Sequence, residues 1–234
     1  MSVNIIEQNI TNQLSGVQIT TLKDFISRTD IPFPSPVDYK FTFIDLFAGI
    51  GGMRIAFQNL SGKCVFSSEI DEYAQKTYEI NFGEKPEGDI KNITDNQIPD
   101  HDVLVAGFPC QAFSIAGKRG GFKDTRGTLF FEVARIIKAK RPKAFFLENV
   151  KGLSNHRGGK TLATILNVLR NDLGYIVPEP QIINAKNFGV PQNRERIFIV
   201  GFRPDMGVKS EDFQYPEPTD TTKCIADIME EKPV

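Results

Sequence analysis

The chain has 234 residues, 40% of them hydrophobic, which suffices for one packed domain with an appendage. Three widely spaced cysteines and two histidines exclude a disulfide framework and a metal cluster, and no apolar run has the length of a membrane span or the form of a signal peptide, so a cytoplasmic location is expected. The net charge of −1 conceals an asymmetry: residues 117–160 carry 12 Lys/Arg against 3 Asp/Glu, whereas residues 1–116 carry 8 against 15. So basic a segment suits either a polyanion or a solvated helix face.

Residues 1–40 are polar and aperiodic, with a short helix predicted over 20–28, and they end in the stiff stretch Ile31-Pro-Phe-Pro-Ser-Pro36. From Lys40 the texture changes. Residues 41–47 read as a buried strand, 48–52 as a tight glycine turn and 53–60 as a helix. A second strand covers 64–68, followed by a helix over 72–81. Strands at 102–106 and 144–147 flank an amphipathic helix at 128–140. A helix at 162–169 and a strand at 196–202 complete the pattern. Strands alternating with helices predict an α/β fold with a mostly parallel sheet covered on both faces.

Ligands of open α/β sheets bind at the carboxyl ends of the strands. The glycine turn after Phe47 allows close approach of backbone to a ligand. Glu69, just past the second strand, is placed to accept hydrogen bonds from ribose hydroxyls, and Asp89 to accept from an adenine amine. This describes a nucleoside pocket with little provision for phosphate, which suits S-adenosylmethionine better than NAD. The alternative is that Asp45 and Glu69 are ordinary strand-end acids and the glycines only turn the chain.

Cys110, in Ala106-Gly-Phe-Pro-Cys110, follows a strand and opens a long polar loop. A thiol on a strand's lip is placed for chemistry as a thiolate, although an inert, partly buried cysteine fits the position as well. The stretch 117–127 has four glycines and four basic residues, a composition that suits either closure over an anionic substrate or a plain solvated loop. Glu148, expected just past the strand 144–147, is a candidate proton donor. Arg194 and Arg196, two apart in an extended segment, point to the same side, so both could face one site; the competing reading is a capping acid and surface arginines.

Phe43-Ile-Asp-Leu-Phe-Ala-Gly-Ile-Gly-Gly52, Gly107-Phe-Pro-Cys-Gln-Ala-Phe-Ser114, Glu148-Asn-Val150 and Gln192-Asn-Arg-Glu-Arg196 stand in the order found in the DNA cytosine-C5 methyltransferases. Over residues 41–220 the chain resembles that family, and within it the bacterial restriction–modification enzymes. The resemblance implies a Rossmann-like AdoMet-dependent methyltransferase fold, S-adenosyl-L-methionine as cofactor and double-stranded DNA as partner. Phe47, Ile50, Gly52, Glu69, Ile70, Asp89, Ile90, Pro109 and Leu129 would then hold the cofactor. Cys110 would be the nucleophile. Glu148 would bind N3 and N4 of a flipped cytosine, Arg196 its O2, and Arg194 would support the adduct. Ser114, Lys118, Arg119, Lys123 and Arg126 would hold DNA phosphates.

Residues 1–40 are expected to form an arm and linker, 41–210 the catalytic domain, and 211–234 the beginning of a target-recognition region. The motifs that follow that region in the family, the last of them a helix returning to the cofactor pocket, lie beyond Val234. The chain is therefore expected to be a fragment, a truncated gene product or one subunit of a split enzyme completed by a second polypeptide, and to bind the cofactor weakly and methylate little or not at all without a partner. An inactive AdoMet- or DNA-binding remnant is the reading from another class. Methylation of cytosine in tRNA ranks last, because that branch usually carries a different tripeptide after Pro-Cys than Gln111-Ala-Phe113.

Overall fold

The computed structural model describes residues 31–109, 129–219 and 223–229; the helix expected over 20–28 lies outside them. Six strands form one sheet in the order β2-β1-β3-β4-β6-β5. They are β1 (Phe41–Leu46), β2 (Gly62–Ser68), β3 (Val103–Gly107), β4 (Ala144–Val150), β5 (Gln181–Asn184) and β6 (Glu195–Phe202). The first four pair in parallel, and β6 runs antiparallel to both β4 and β5. The mostly parallel α/β expectation therefore holds. Nothing in the apolar run 196–202 distinguishes the two directions, because side chains alternate identically either way. β5 has only four residues, half of them exposed, and so lacks the apolar signature of a strand.

Among the described residues four helices cover the sheet: α1 (Gly52–Asn59), α2 (Glu72–Phe82), α3 (Leu129–Lys140) and α4 (Lys160–Asn167), the last continuing as a π-helical turn over Val168–Asp172. The larger core joins Ile44, Leu46, Leu104, Leu147 and Ile199 to α3 and α4. Phe43 and Val105 point to the opposite face, where Met53 and Phe57 of α1 pack on them. The alternation along β1 explains the division, since successive side chains take opposite faces. Beyond α1, this second face borders an apolar cavity of about 470 Å³ between Phe57, Phe146, Phe198 and Tyr215.

Residues 31–36 pack against α1 and α2. Phe33 N donates to Asn81 O at 3.0 Å, and Arg54 Nη2 donates to Ser35 Oγ at 3.1 Å. Arg54 is fully buried yet satisfied, reaching Gln58, Tyr78 and Glu84 as well and lying over the Phe82 ring.

Close packing also constrains one glycine of β6. A methyl group at Gly201 would sit 2.1 Å from the ring of Phe145, itself packed on Tyr175. Gly201→Ala is therefore expected to destabilise the fold by about 1–3 kcal/mol. A urea denaturation midpoint equal to wild type would show that the Phe145 ring has room to move.

Candidate active site

Strands β1 to β4 deliver their carboxyl ends to one edge of the sheet, and two groups of residues gather there. The first surrounds a cavity of about 350 Å³ lined by Phe47, Ser68, Glu69, Ile70, Gly88, Asp89, Ile90, Lys91, Gly107, Pro109 and Leu129. Seven of the nine residues expected to hold the cofactor are among them. Ile50 and Gly52 are not, and Ile50 is 58% exposed.

The turn after β1 makes this wall. Phe47 takes φ 57°, Gly49 φ 56° and Gly51 φ 93°, the left-handed region that non-glycine residues seldom occupy. Gly51 has a second reason to be glycine, because a methyl group there would meet the Phe82 ring at 2.0 Å. Glu69 holds the turn through Oε2, which accepts from Gly49 N at 2.7 Å, while Oε1 accepts from Asp71 N at 2.9 Å. Backbone bonds between Glu69 N and Glu87 O, and between Glu87 N and Ser67 O, bring Asp89 beside the end of β2. Arg135 of α3 fastens the following segment by donating to Ile93 O at 3.0 Å and pairing with Asp95.

The second group centres on Glu148. It lies inside β4 rather than just past it, because the strand runs on to Val150, its last three residues paired with β6. Its Oε1 is 2.8 Å from Arg196 Nε and 3.7 Å from Arg194 Nη2. The two arginines expected on one side of an extended segment thus do face one carboxylate. Gly107 links the groups: it lines the cavity, pairs with Glu148 across β3 and β4, and a methyl group on it would be 3.6 Å from Glu148 Oε2.

Cys110, Ser114, Lys118, Arg119, Lys123 and Arg126 lie outside the described residues. The approach to Cys110 is described as far as Pro109, and it is anchored by a residue to which the sequence assigns no role. Asn149, 2% exposed, donates from Nδ2 to Phe108 O at 2.6 Å and accepts from Val150 N. Its role follows from the extension of β4 to Val150, since an amide in a buried strand requires a partner.

Asp45 lies beneath the glycine turn, 1% exposed, with Oδ2 making no hydrogen bond. Burial pushes its carboxyl up to about 7, with Arg54 pulling it down and Glu69 pushing it up. Between roughly pH 4 and pH 7 the folded chain then holds a proton that the unfolded chain has lost, so Asp45 makes stability fall as pH rises through that window. Asp45→Asn is expected to remove this fall, a relative gain at pH 8 over pH 5 of at most roughly 3 kcal/mol. Thermal or urea unfolding of both proteins at the two pH values measures it, and parallel pH dependences would exclude Asp45 as the titrating group.

A protein-family model described as C-5 cytosine-specific DNA methylase matches residues 41–234. The chain is 72% identical over 197 residues to the type II methyltransferase M.HpaII of Haemophilus parainfluenzae, an alignment covering 83% of this chain and 54% of that protein. It is 50% identical over 187 residues to M.HhaI of Haemophilus parahaemolyticus, covering 80% and 56%. The chain thus spans about half the length of the curated relatives it matches. A crystal structure of Spodoptera frugiperda DNMT2 superposes with a TM-score of 0.66 at 24% identity, covering 83% of this chain and 61% of that one, a likeness of fold.

Proposed function

Because the chain belongs to the C-5 cytosine-specific DNA methylase family, we propose that it transfers a methyl group from S-adenosylmethionine to C5 of a flipped-out cytosine in double-stranded DNA, within a cytoplasmic restriction–modification system. One observation carries this reading. The cavity with its two carboxylates and the Glu148–arginine group meet at Gly107, so a nucleoside cofactor and a target base would lie against the same residue.

The cavity suits the cofactor chemically. Phe47, Ile70 and Leu129 offer apolar surface, and Glu69 and Asp89 offer acceptors for hydroxyl and amine groups and favour a cation. The one lysine in the lining, Lys91, has its Nζ 3.5 Å from Asp89, which leaves little provision for phosphate. S-adenosylmethionine, when bound, supplies the methyl group as an activated sulfonium substituent.

The chain's residues do the rest. Cys110 adds as thiolate to C6 of the cytosine and raises electron density at C5. Glu148 binds the N3 edge and donates a proton there as the adduct forms, while Arg196, at O2, stabilises the charge that develops. Arg194 faces the same Glu148 oxygen and supports the adduct. After methyl transfer, water takes the C5 proton, Cys110 departs as thiolate and the N3 proton returns to Glu148, which restores the aromatic ring. Since C6 is inaccessible in a stacked duplex, the base must leave the helix, and Ser114, Lys118, Arg119, Lys123 and Arg126 would hold the phosphates around it.

In the relatives the stretch aligned here is about half of the protein, and target recognition and the remaining wall of the cofactor pocket are proposed to come from outside residues 1–234, a source that a second polypeptide can supply. The reaction is tested by incubating the chain with S-adenosylmethionine and duplex DNA containing 5-fluorocytosine, whose fluorine blocks the final elimination. A denaturation-resistant protein–DNA complex is expected, and it should be sought both with the chain alone and with the carboxyl-terminal half of M.HpaII added. Capture by the chain alone would remove the need for a second polypeptide. Absence of capture under both conditions would overturn the proposal.

A further inference from the structure

The carboxyl edge of the sheet carries cations that the proposed chemistry does not use. β4 ends at Val150, paired with Arg196, and β5 ends at Asn184, paired with Glu195. The segments 151–160 and 185–194 therefore leave the sheet from a single row across three strands. Together they contain Lys151, Arg157, Lys160, Lys186 and Arg194, and no carboxylate. All five are exposed. Lys151 is paired with Glu195 at 2.9 Å, and Arg194 faces Glu148. Among the described residues, Arg157, Lys160 and Lys186 take part in none of the ion pairs.

The segment 151–160 has a fixed base. Leu153 is completely buried, Gly158 N donates to Asn155 O at 3.0 Å, and the His156 ring bonds Thr161 Oγ1 at 2.7 Å. Exposed cations on an anchored loop, without internal partners, keep their charge available to an external anion. The opposite end of this edge, at the close of β2, has the contrary sign, carrying Glu69, Asp71, Glu87 and Asp89. A polyanion approaching this edge is therefore drawn towards the β4–β6 side, where Glu148 lies.

We propose that Arg157, Lys160 and Lys186 form a rail that contacts the phosphate backbone of duplex DNA beside the Glu148 group, without reading sequence. The choice of DNA as the polyanion rests on the methyl-transfer reading; the rail itself rests on the placement and unspent charge of these cations. Phosphate contacts release counterions, so each one lost makes the dependence of log K on log salt shallower by about 0.9.

The test measures binding of the full chain to a fluorescein-labelled DNA duplex of arbitrary sequence by anisotropy, in 50 to 200 mM KCl. The variant Arg157→Ala/Lys160→Ala/Lys186→Ala is expected to lower the salt slope by about 2–3, with an unchanged melting temperature. A control of equal charge change, Lys40→Ala/Lys63→Ala/Lys209→Ala, replaces lysines away from this edge and should leave the slope as in wild type. A slope within half a unit of wild type for the triple variant would overturn the rail. So would an equal effect in the control, or a loss confined to an RNA duplex. Fluorocytosine capture is read separately. Capture with an unaltered slope would reject the rail and keep the chemistry, and a reduced slope without capture would do the reverse.

Discussion

Cys110→Ser is expected to abolish the denaturation-resistant complex with fluorocytosine DNA and to lower methyl transfer by at least about 10⁴-fold. Serine keeps nearly the size of cysteine but has no accessible anion at neutral pH, so C6 receives no nucleophile and C5 stays unactivated. The other cysteines sharpen the comparison. Cys64 is 5% exposed, and burial pushes its thiol up to about 12, which leaves essentially no thiolate at neutral pH. Cys224 is exposed, on the segment after residue 222. Cys224→Ser should therefore capture DNA as wild type does. A captured complex with Cys110→Ser, or its loss with Cys224→Ser, would show that the nucleophile is a different residue.

Glu148→Gln is expected to slow methyl transfer by about 10²–10⁴-fold while S-adenosylmethionine affinity stays within a few-fold of wild type. The division follows from position. Glu148 is absent from the cavity lining and instead touches Arg196 and Arg194. The amide retains shape and some hydrogen bonding but donates no proton to N3 and leaves two guanidinium groups without their carboxylate. Single-turnover transfer with saturating DNA, together with calorimetric titration of the cofactor, separates the two quantities. A loss below tenfold would remove Glu148 from proton transfer. A comparable loss of cofactor affinity would make it a wall of the pocket instead.

Much of the candidate site is legible in the order of the residues. A strand followed by a turn and an acid has few geometries available, which sets Glu69 just past β2; Asp89, expected at a strand end, instead caps the short 3₁₀ turn Ile90–Asn92, and both line the cavity. The facing of Arg194 and Arg196 follows from the two-residue period of extended chain. What local order does not disclose involves partners distant in sequence. Asn149 and Phe108 are 41 residues apart, and Arg135 reaches back 42 residues to Ile93. No local pattern announces such bonds, although a buried amide or guanidinium implies that some partner exists. Ile50, expected against the cofactor, is 58% exposed and stands outside the cavity lining.

The sequence by itself determined the family, the alternation of strands and helices, and the types of residue that could serve as nucleophile, acid and cofactor ligands. These depend on local order: hydrophobic period, glycine at forced turns, and short motifs in a fixed succession. Only the tertiary structure decided that Glu148 lies within β4, that β6 runs against its neighbours, and that the cavity and the Glu148 group share Gly107. Strand direction and pairing are set by which surfaces bury together across the sheet, and one chain segment carries no record of the segment it will face.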